Sequence, residues 1–586
     1  MKRILLFVHY NKNNYLGDYI VYLLKEIRHL YSRIVFISNS FLNDKQKLRL
    51  NGLQDSLIIR ENKGYDFGAW KDALLIEGWK DLSTYDSLTL MNDTCFGPFY
   101  DMEILYNKME QKNIDFWGLT AHHVIDSDIT GIKGNIPEHL QSYFICFNKR
   151  IITAEIFKAF WENVIYEEKI YLVIQNYEIK LTVLLKMSGY NYEAIFEMPK
   201  EIDFTLIYPD ICINNSIPLV KIKSFLYFPY PEFLEQLIEI NTKYPYSLIS
   251  NHFNEQYEPG ASFLISNKVF NAACYKSAKI VLPLAKIAIH LHVFYFDVFE
   301  KYIEIFDKLT IEFRIFVTTN TIEKKKTIEY YMQKHICIRN LEEIIVCKNH
   351  GRDIIPWLSI AEKLESFDII GHFHTKKAPS EKDYVGYHWQ LEIFDSLLVH
   401  ANNIINIFNT NENIGIVIPD IPLHFQLNQN FLSMKMKSFM NEIWNKMGCN
   451  RKIDFSTKSV IIFPHGNMFW YRPAALRPLF KLKLEYEDIP EEPIAGFETI
   501  LHCIERMLVY IAWSEGFDYR ISQCDKSRIS AFRNNLIIYN KISEYSNSRS
   551  YKIGKKILAI PKIIKNLISK PEKKLLQEND VSIFKE

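Results

Sequence analysis

The two halves of this 586-residue chain resemble each other segment by segment. Arg33-Ile34-Val35-Phe36-Ile37-Ser38-Asn39 matches Arg314-Ile315-Phe316-Val317-Thr318-Thr319-Asn320 without a gap. Asn62-Lys63-Gly64-Tyr65-Asp66-Phe67-Gly68-Ala69-Trp70 matches Asn349-His350-Gly351-Arg352-Asp353-Ile354-Ile355-Pro356-Trp357 in the pattern N-x-G-x-D-x-x-x-W. Tyr85-Asp86-Ser87-Leu88-Thr89-Leu90-Met91 matches Phe367-Asp368-Ile369-Ile370-Gly371-His372-Phe373. The offsets are 314 − 33 = 281, 349 − 62 = 287 and 367 − 85 = 282. Three matches in one order at near-constant offset argue for two copies of one domain.

Each copy opens on an apolar strand, Ile4 to Val8 or Ile287 to Val293, followed by an amphipathic helix. Ile20, Leu23, Leu24, Ile27 and Leu30 share one helical face, as do Phe299, Tyr302, Ile303 and Phe306. A second strand follows, at Ile34 to Ile37 or Ile315 to Thr318. Strand, helix, strand predicts a parallel sheet with crossover helices. Ligands of such sheets bind beyond the carboxyl ends of the strands. His9, Asn39 and Asp93 fall there in the first copy, and His292, Asn320 and His374 in the second.

Between the copies, Pro209, Pro218, Pro229, Pro231, Pro245 and Pro259 predict a less regular connecting subdomain or linker. Beyond about residue 520 the composition shifts to lysines interleaved with Ile and Leu, with Pro561 interrupting. The expected organisation is a first domain over 1–200, a connecting region over 201–285, a second domain over 286–520 and a basic, helical, amphipathic tail over 521–586.

Composition narrows the function. Lys plus Arg is 70 and Asp plus Glu is 69, without the basic excess of a protein that coats nucleic acid. Nine cysteines at wide spacing, with no C-x-x-C, give neither a zinc ribbon nor a disulfide scaffold. The apolar run after Met1-Lys2-Arg3 is too short for a signal peptide and reads as a buried strand. The stretch from Ile280 to Phe296 contains Pro283, Lys286, His290 and His292, so it fails as a membrane span.

The N-x-G-x-D segment follows a strand and opens a helix, where glycine lets backbone N–H groups approach a phosphate or sugar. A plain structural turn would use the same residues. About twenty residues on, a buried strand ends in Asn92-Asp93-Thr94-Cys95-Phe96-Gly97-Pro98, a suitable place for a metal-diphosphate contact. His122-His123 has no third group at ligand spacing. Trp117, Trp161, Trp389 and Trp470 suit either sugar stacking or core packing.

This order of motifs resembles nucleotide-sugar glycosyltransferases of the GT-A type. In those enzymes an acidic pair holds a divalent cation on the donor diphosphate. Here one carboxylate, Asp93, stands in that place, so the resemblance implies Mg²⁺ or Mn²⁺ at Asp93 of the first domain.

A second resemblance is more specific. The N-x-G-x-D segments, Met91-Asn92-Asp93-Thr94, Asp115-Phe116-Trp117-Gly118-Leu119-Thr120, His139-Leu140-Gln141-Ser142-Tyr143-Phe144, His372-Phe373-His374-Thr375-Lys376-Lys377 and His465-Gly466-Asn467-Met468-Phe469-Trp470-Tyr471-Arg472 are similar to the rhamnan synthesis protein F family. The similarity runs from about residue 1 to 515. It implies two tandem GT-A-like α/β domains of Rossmann type. It implies a bacterial rhamnosyltransferase, or a related sugar transferase, that moves a dTDP-activated sugar onto a lipid-linked glycan of the cell surface. The expected location is cytoplasmic, peripheral on the inner membrane face through the basic tail. The alternative is a non-catalytic glycan-binding or scaffolding component.

On this reading the donor contacts are His9, Asn39, Asn62, Gly64, Asp66, Asn92 and Asp93 in the first half. In the second they are Asn349, Gly351, Asp353, His374 and Lys376. An inverting transferase needs a carboxylate to take the acceptor's proton. Enzymes of the GT-A type place it after the metal site at the start of a helix, which singles out Glu178 and Glu498. An acidic residue in a first helical turn is also favoured there by the helix dipole. His374 and Lys376 replace the Asn92-Asp93-Thr94 chemistry with groups that could neutralise a diphosphate without metal.

Overall fold

The computed structural model describes residues 1–123, 136–197, 204–273, 285–375, 383–422, 432–458, 461–484, 488–492 and 498–523. The basic tail therefore lies outside the described residues. Met1 to Cys524 form one unit.

The fold is mixed α/β, built on two large, mostly parallel sheets. The strands of the first half are β1 (Arg3–His9), β2 (Arg33–Ser38), β3 (Ser56–Ile59), β4 (Ser87–Asn92), β5 (Cys95–Phe96), β6 (Phe116–His122), β7 (His139–Leu140), β8 (Phe144–Asn148) and β9 (Tyr192–Phe196). The connecting region adds β10 (Val220–Lys221) and β11 (Val269–Asn271). The second half contributes β12 (Ile287–Val293), β13 (Arg314–Thr319), β14 (Leu341–Val346), β15 (Ile369–His374), β16 (Ile414–Pro419), β17 (Phe469–Tyr471) and β18 (Asp518–Gln523).

The first sheet runs β3-β2-β1-β4-β8-β6, with β7 and β9 both paired to β6. The second runs β14-β13-β12-β15-β17-β16-β18-β11. In each, four parallel strands are followed by one antiparallel strand, β8 or β17. A further parallel pair completes the series, β6 with β9 or β16 with β18.

Register carries one sheet onto the other residue by residue. Ile4 faces Arg33 and Leu88, as Ala288 faces Arg314 and Ile370. Leu88 faces Phe147, as Ile370 faces Tyr471. Phe147 faces Phe116, as Tyr471 faces Ile416. Phe116 faces Tyr192, as Ile416 faces Tyr519.

The strands read as near-continuous apolar runs because both faces are covered. β4 is buried along its whole length, and helices 18–27 and 65–77 lay Leu23, Leu24, Phe67, Trp70 and Leu74 against the sheet. The second sheet is sandwiched in the same way.

The connecting subdomain or linker expected from its prolines is more regular than they suggested. It is mostly helical, over Phe204–Ile207, Pro209–Asn214, Ile222–Tyr227, Pro231–Asn241, Tyr246–Gln256 and Pro259–Ile265. Pro209, Pro231 and Pro259 occupy first helical positions, where the missing N–H has no intrahelical partner to lose. The region joins both sheets: β10 pairs with β5, and β11 extends the second sheet beside β18. Lys268 and Asp518, both fully buried, pair at 2.7 Å between the connecting region and β18.

Candidate functional site

The repeated N-x-G-x-D segment folds into the same turn twice. Gly64 and Tyr65 both have positive φ, +70° and +53°, and Gly351 and Arg352 repeat this at +76° and +54°. Two successive left-handed residues reverse the chain sharply enough to bring the following aspartate back over the sheet's carboxyl end. Asn39 braces the first turn. It donates to Asn62 Oδ1 and the Tyr65 carbonyl, and accepts from Arg60 at 2.7 Å. Its side chain is thus engaged with the chain itself. Asn62 and Asn349 stand exposed on the rims of the two turns.

The first-half cluster assembles from three directions. Asp66 comes from the turn, and its Oδ2 accepts from Asn92 Nδ2 at 3.1 Å. Asn92 ends β4, and its neighbour Asp93 accepts from His9 Nδ1 at 2.7 Å and Tyr10 N at 2.9 Å, both on Oδ2. Glu178 Oε1 accepts the backbone N–H of Ser142 at 2.9 Å. Burial pushes the Asp66 carboxyl up to about 6, with the Glu178 carboxylate the second cause. The two acids therefore sense each other's charge. Among the described residues Glu178 forms no ion pair. Burial lowers the nearby His139 imidazole, against the pull of Glu178.

His9 donates from Nδ1 to the acceptor-only carboxylate of Asp93, which leaves its Nε2 for another partner. That nitrogen is buried and has no hydrogen-bond partner among the described residues. A buried ring nitrogen left open at a strand end is what a polar group of a ligand would complete.

Glu178 does not begin a helix. The helical run starts at Ile170, passes through a π turn at Ile174–Glu178 and continues over Ile179–Met187. The dipole explanation for an acidic residue there therefore lapses. A π turn inserts a residue into the helix and re-aims its side chains, and such turns concentrate at functional sites.

The second half repeats this cluster with different neighbours. Asp353 comes from its turn, and its Oδ2 lies 2.6 Å from Asn467 Nδ2, 3.4 Å from His372 Nε2 and 3.7 Å from His374 Nε2. His374 aligns with Asn92 by register, since His292 faces it as Val8 faces Asn92. Thr375 takes the place of Asp93. Its hydroxyl accepts from Phe294 N and Tyr295 N as Asp93 accepts from Tyr10 N.

The acid equivalent to Glu178 is Glu505, not Glu498. Glu178 lies 192 − 178 = 14 residues before Tyr192 and Glu505 lies 519 − 505 = 14 before Tyr519, the paired residues of β9 and β18. Glu505 Oε1 accepts the Gly466 N–H at 3.0 Å. Gly466 stands 471 − 466 = 5 residues before Tyr471 as Ser142 stands 147 − 142 = 5 before Phe147. Glu498 instead precedes the helix Ile500–Ser514 and pairs with Lys435 at 3.7 Å near the surface. The signal for Glu505 was in the sequence: Gly189-Tyr190-Asn191-Tyr192 and Gly516-Phe517-Asp518-Tyr519 align without a gap. Lys376 lies outside the described residues.

The charge settings of the two clusters are opposite. Asp66 faces an amide and another carboxylate. Burial acts on Asp353 too, but His374, His372 and Asn467 overcome it and hold the carboxyl well below the usual range. Glu505 has Arg506 at 3.4 Å.

A cation at Asp93 would meet Oδ1, the oxygen that no hydrogen bond occupies among the described residues. Asp93 Oδ2 already takes two hydrogen bonds, and Asn92 Oδ1 accepts from the Thr94 hydroxyl at 2.6 Å. Among the described residues no three His, Cys, Asp or Glu side chains are grouped to hold a metal ion.

Comparison with known proteins adds a family. The profile described as rhamnan synthesis protein F matches residues 34–517. An uncharacterized protein y4gN of Sinorhizobium fredii is 28% identical over 201 residues, 33% of this chain and 49% of that one. The virulence protein VirA of Vibrio anguillarum is 34% identical over 133 residues, 22% of this chain and 38% of that one. The chain thus spans less than half the length of either relative. Among solved structures, a protein described as a nucleotide-diphospho-sugar transferase from Desulfovibrio desulfuricans is 14% identical with a TM-score of 0.24, over 41% of this chain and 97% of that one. The glycosyltransferase GlyE of Streptococcus pneumoniae is 12% identical with a TM-score of 0.22, over 64% of this chain and 88% of that one.

Proposed function

The chain belongs to the rhamnan synthesis protein F family, and on that premise we propose that it is a glycosyltransferase using a nucleotide-activated sugar. Rhamnose as the sugar, dTDP as the carrier and a lipid-linked cell-surface glycan as the acceptor are the finer parts of this proposal. The observation that carries it is the twice-built cluster: a turn aspartate, a strand-end polar residue and a helix glutamate fixed by one backbone N–H. Two GT-A-like domains in tandem are the architecture this reading assumes, and the shared strand order supports it.

In the first half we assign the base to Glu178. An acceptor hydroxyl at its free oxygen gives up its proton as the oxygen attacks the sugar's anomeric carbon and the nucleoside diphosphate leaves. The Ser142 N–H fixes the carboxylate's direction. His9 and Asp93 would orient the donor through the open His9 Nε2. Incubation with dTDP-, UDP- and GDP-sugars, with and without glycan acceptor, tests the proposal. Acceptor-dependent release of nucleoside diphosphate from one donor is expected. Binding of glycan with no release from any donor would favour a non-catalytic component instead.

Attachment to the inner membrane face is proposed through the lysine-rich tail. Among the described residues no helix is long and apolar enough to cross a membrane. Removing the residues after 545 should shift the protein from anionic vesicles to the supernatant at low salt, where such attraction is strongest. Unchanged sedimentation would refute it.

A further inference from the structure

Four side chains that are apolar in the first half are polar in the second. Leu6, Val8, Ile37 and Leu90 are buried in the first half's core. By strand register their counterparts are His290, His292, Thr318 and His372. The latter are buried too, His290, Thr318 and His372 completely. Replacing a packed apolar layer by polar groups is unfavourable unless every group is bonded.

They are bonded, in a single line. His292 Nδ1 lies 2.9 Å from Thr318 Oγ1. Thr318 Oγ1 lies 2.9 Å from His290 Nε2. His290 Nδ1 lies 2.9 Å from His372 Nδ1. His372 Nε2 reaches Asp353 Oδ2 at 3.4 Å. Chemistry fixes the direction. An ionised carboxylate only accepts, so His372 carries its proton on Nε2 and accepts at Nδ1. His290 then donates from Nδ1 and accepts at Nε2, Thr318 donates to His290, and His292 donates from Nδ1 to Thr318. Asn467 Nδ2, at 2.6 Å from Asp353 Oδ2, sits 3.4 Å from His372 Nε2, as two donors sharing one acceptor do. Burial keeps His290 well below its ordinary value, His292 at about 3 and His372 lowered as well, so the rings are neutral. Trp357 stacks on His372 at 4.7 Å and holds its plane.

We propose that the second half contains a directional proton relay, His292–Thr318–His290–His372–Asp353, that carries a proton from a hydroxyl-bearing ligand to Asp353. It rests on the sugar-transfer reading for its ligand class, a sugar hydroxyl. The proton enters at His292 Nε2, the one ring nitrogen that the chain leaves over. His292 passes its Nδ1 proton to Thr318, Thr318 its own to His290 Nε2, His290 its Nδ1 proton to His372, and His372 its Nε2 proton to Asp353. The ligand oxygen is left as the nucleophile, Asp353 as the neutral acid, and each ring in its other tautomer. No imidazolium forms, which suits rings that burial keeps uncharged. His292 meets the ligand, and Thr318, His290 and His372 act through it as positioning residues for the proton's path to Asp353.

Nitrogen-15 labelling of the histidines in the full chain tests the relay's geometry. Ring-proton correlations at neutral pH, assigned with single-histidine variants, should show Nδ1–H on His290 and His292 and Nε2–H on His372. Thr318→Val, nearly isosteric, should shift the His290 and His292 signals, and Thr318→Ser should restore them. An imidazolium, a reversed tautomer at His372, or His290 signals indifferent to Thr318→Val would overturn the chain. With an active donor in hand, and in a Glu178→Gln background where only the second half can act, Thr318→Val should also lower the remaining transfer by on the order of 10²-fold while Thr318→Ser retains it. Equal transfer in both variants would overturn the relay's chemical role. Wild-type protein inactive on every donor would sink the sugar-transfer reading and this role together, and the nitrogen-15 result would still decide the chain.

Discussion

Asp66 and Asp353 occupy the same place in two turns and hold opposite charge settings, because one faces a carboxylate and the other faces imidazoles. Burial, then Glu178, raises Asp66 to about 6. A carboxyl whose folded value exceeds its unfolded value stabilises the fold below the unfolded value and loses that contribution as pH rises through the folded one. Asp66 should therefore weaken the protein progressively between about pH 4 and 6. Asp66→Asn should remove that slope and melt higher than wild type at pH 8. Parallel pH profiles of Tm in the two proteins would contradict the assignment. The residue types at these sites were readable in sequence as the N-x-G-x-D turns, Asn92-Asp93 and Glu178. Glu505 was missed because a base was sought at a helix start, whereas the π turn puts Glu178 in mid-helix. The His290–His372 contact was hidden because each histidine lies inside a strand that reads as ordinary core.

At the scale of elements, the turns carry the duplication more firmly than the strands do. Gly64 and Gly351 combine positive φ with no room for a side chain. A Cβ at Gly64 would sit 3.0 Å from the Tyr166 Cα, and one at Gly351 would sit 2.2 Å from Ile355 Cγ1. Gly64→Ala and Gly351→Ala should each lose on the order of 1–3 kcal/mol in denaturant unfolding, from the left-handed backbone alone. A loss below a few tenths at both would mean the turns are not held as described. Strands and crossover helices were legible because buried parallel strands are apolar throughout and their helices alternate faces every three to four residues. The helices of the connecting region were not legible because proline reads as a breaker. At a helix's first position it is a starter, as Pro209, Pro231 and Pro259 are.

For the whole molecule, the two sheets share strand order and polarity but not chemistry. The first half offers an acidic pair with little compensating charge, and the second an aspartate held ionised by histidines and a glutamate beside Arg506. That asymmetry is the ground for proposing Glu178 of the first half as the acceptor's base. The most direct measurement is acceptor-dependent nucleoside diphosphate release by wild type, Glu178→Gln and Glu498→Gln, on the donor that wild type turns over. The account predicts a fall of about 10²–10⁴-fold in Glu178→Gln and a wild-type rate in Glu498→Gln. A wild-type rate in Glu178→Gln would contradict it.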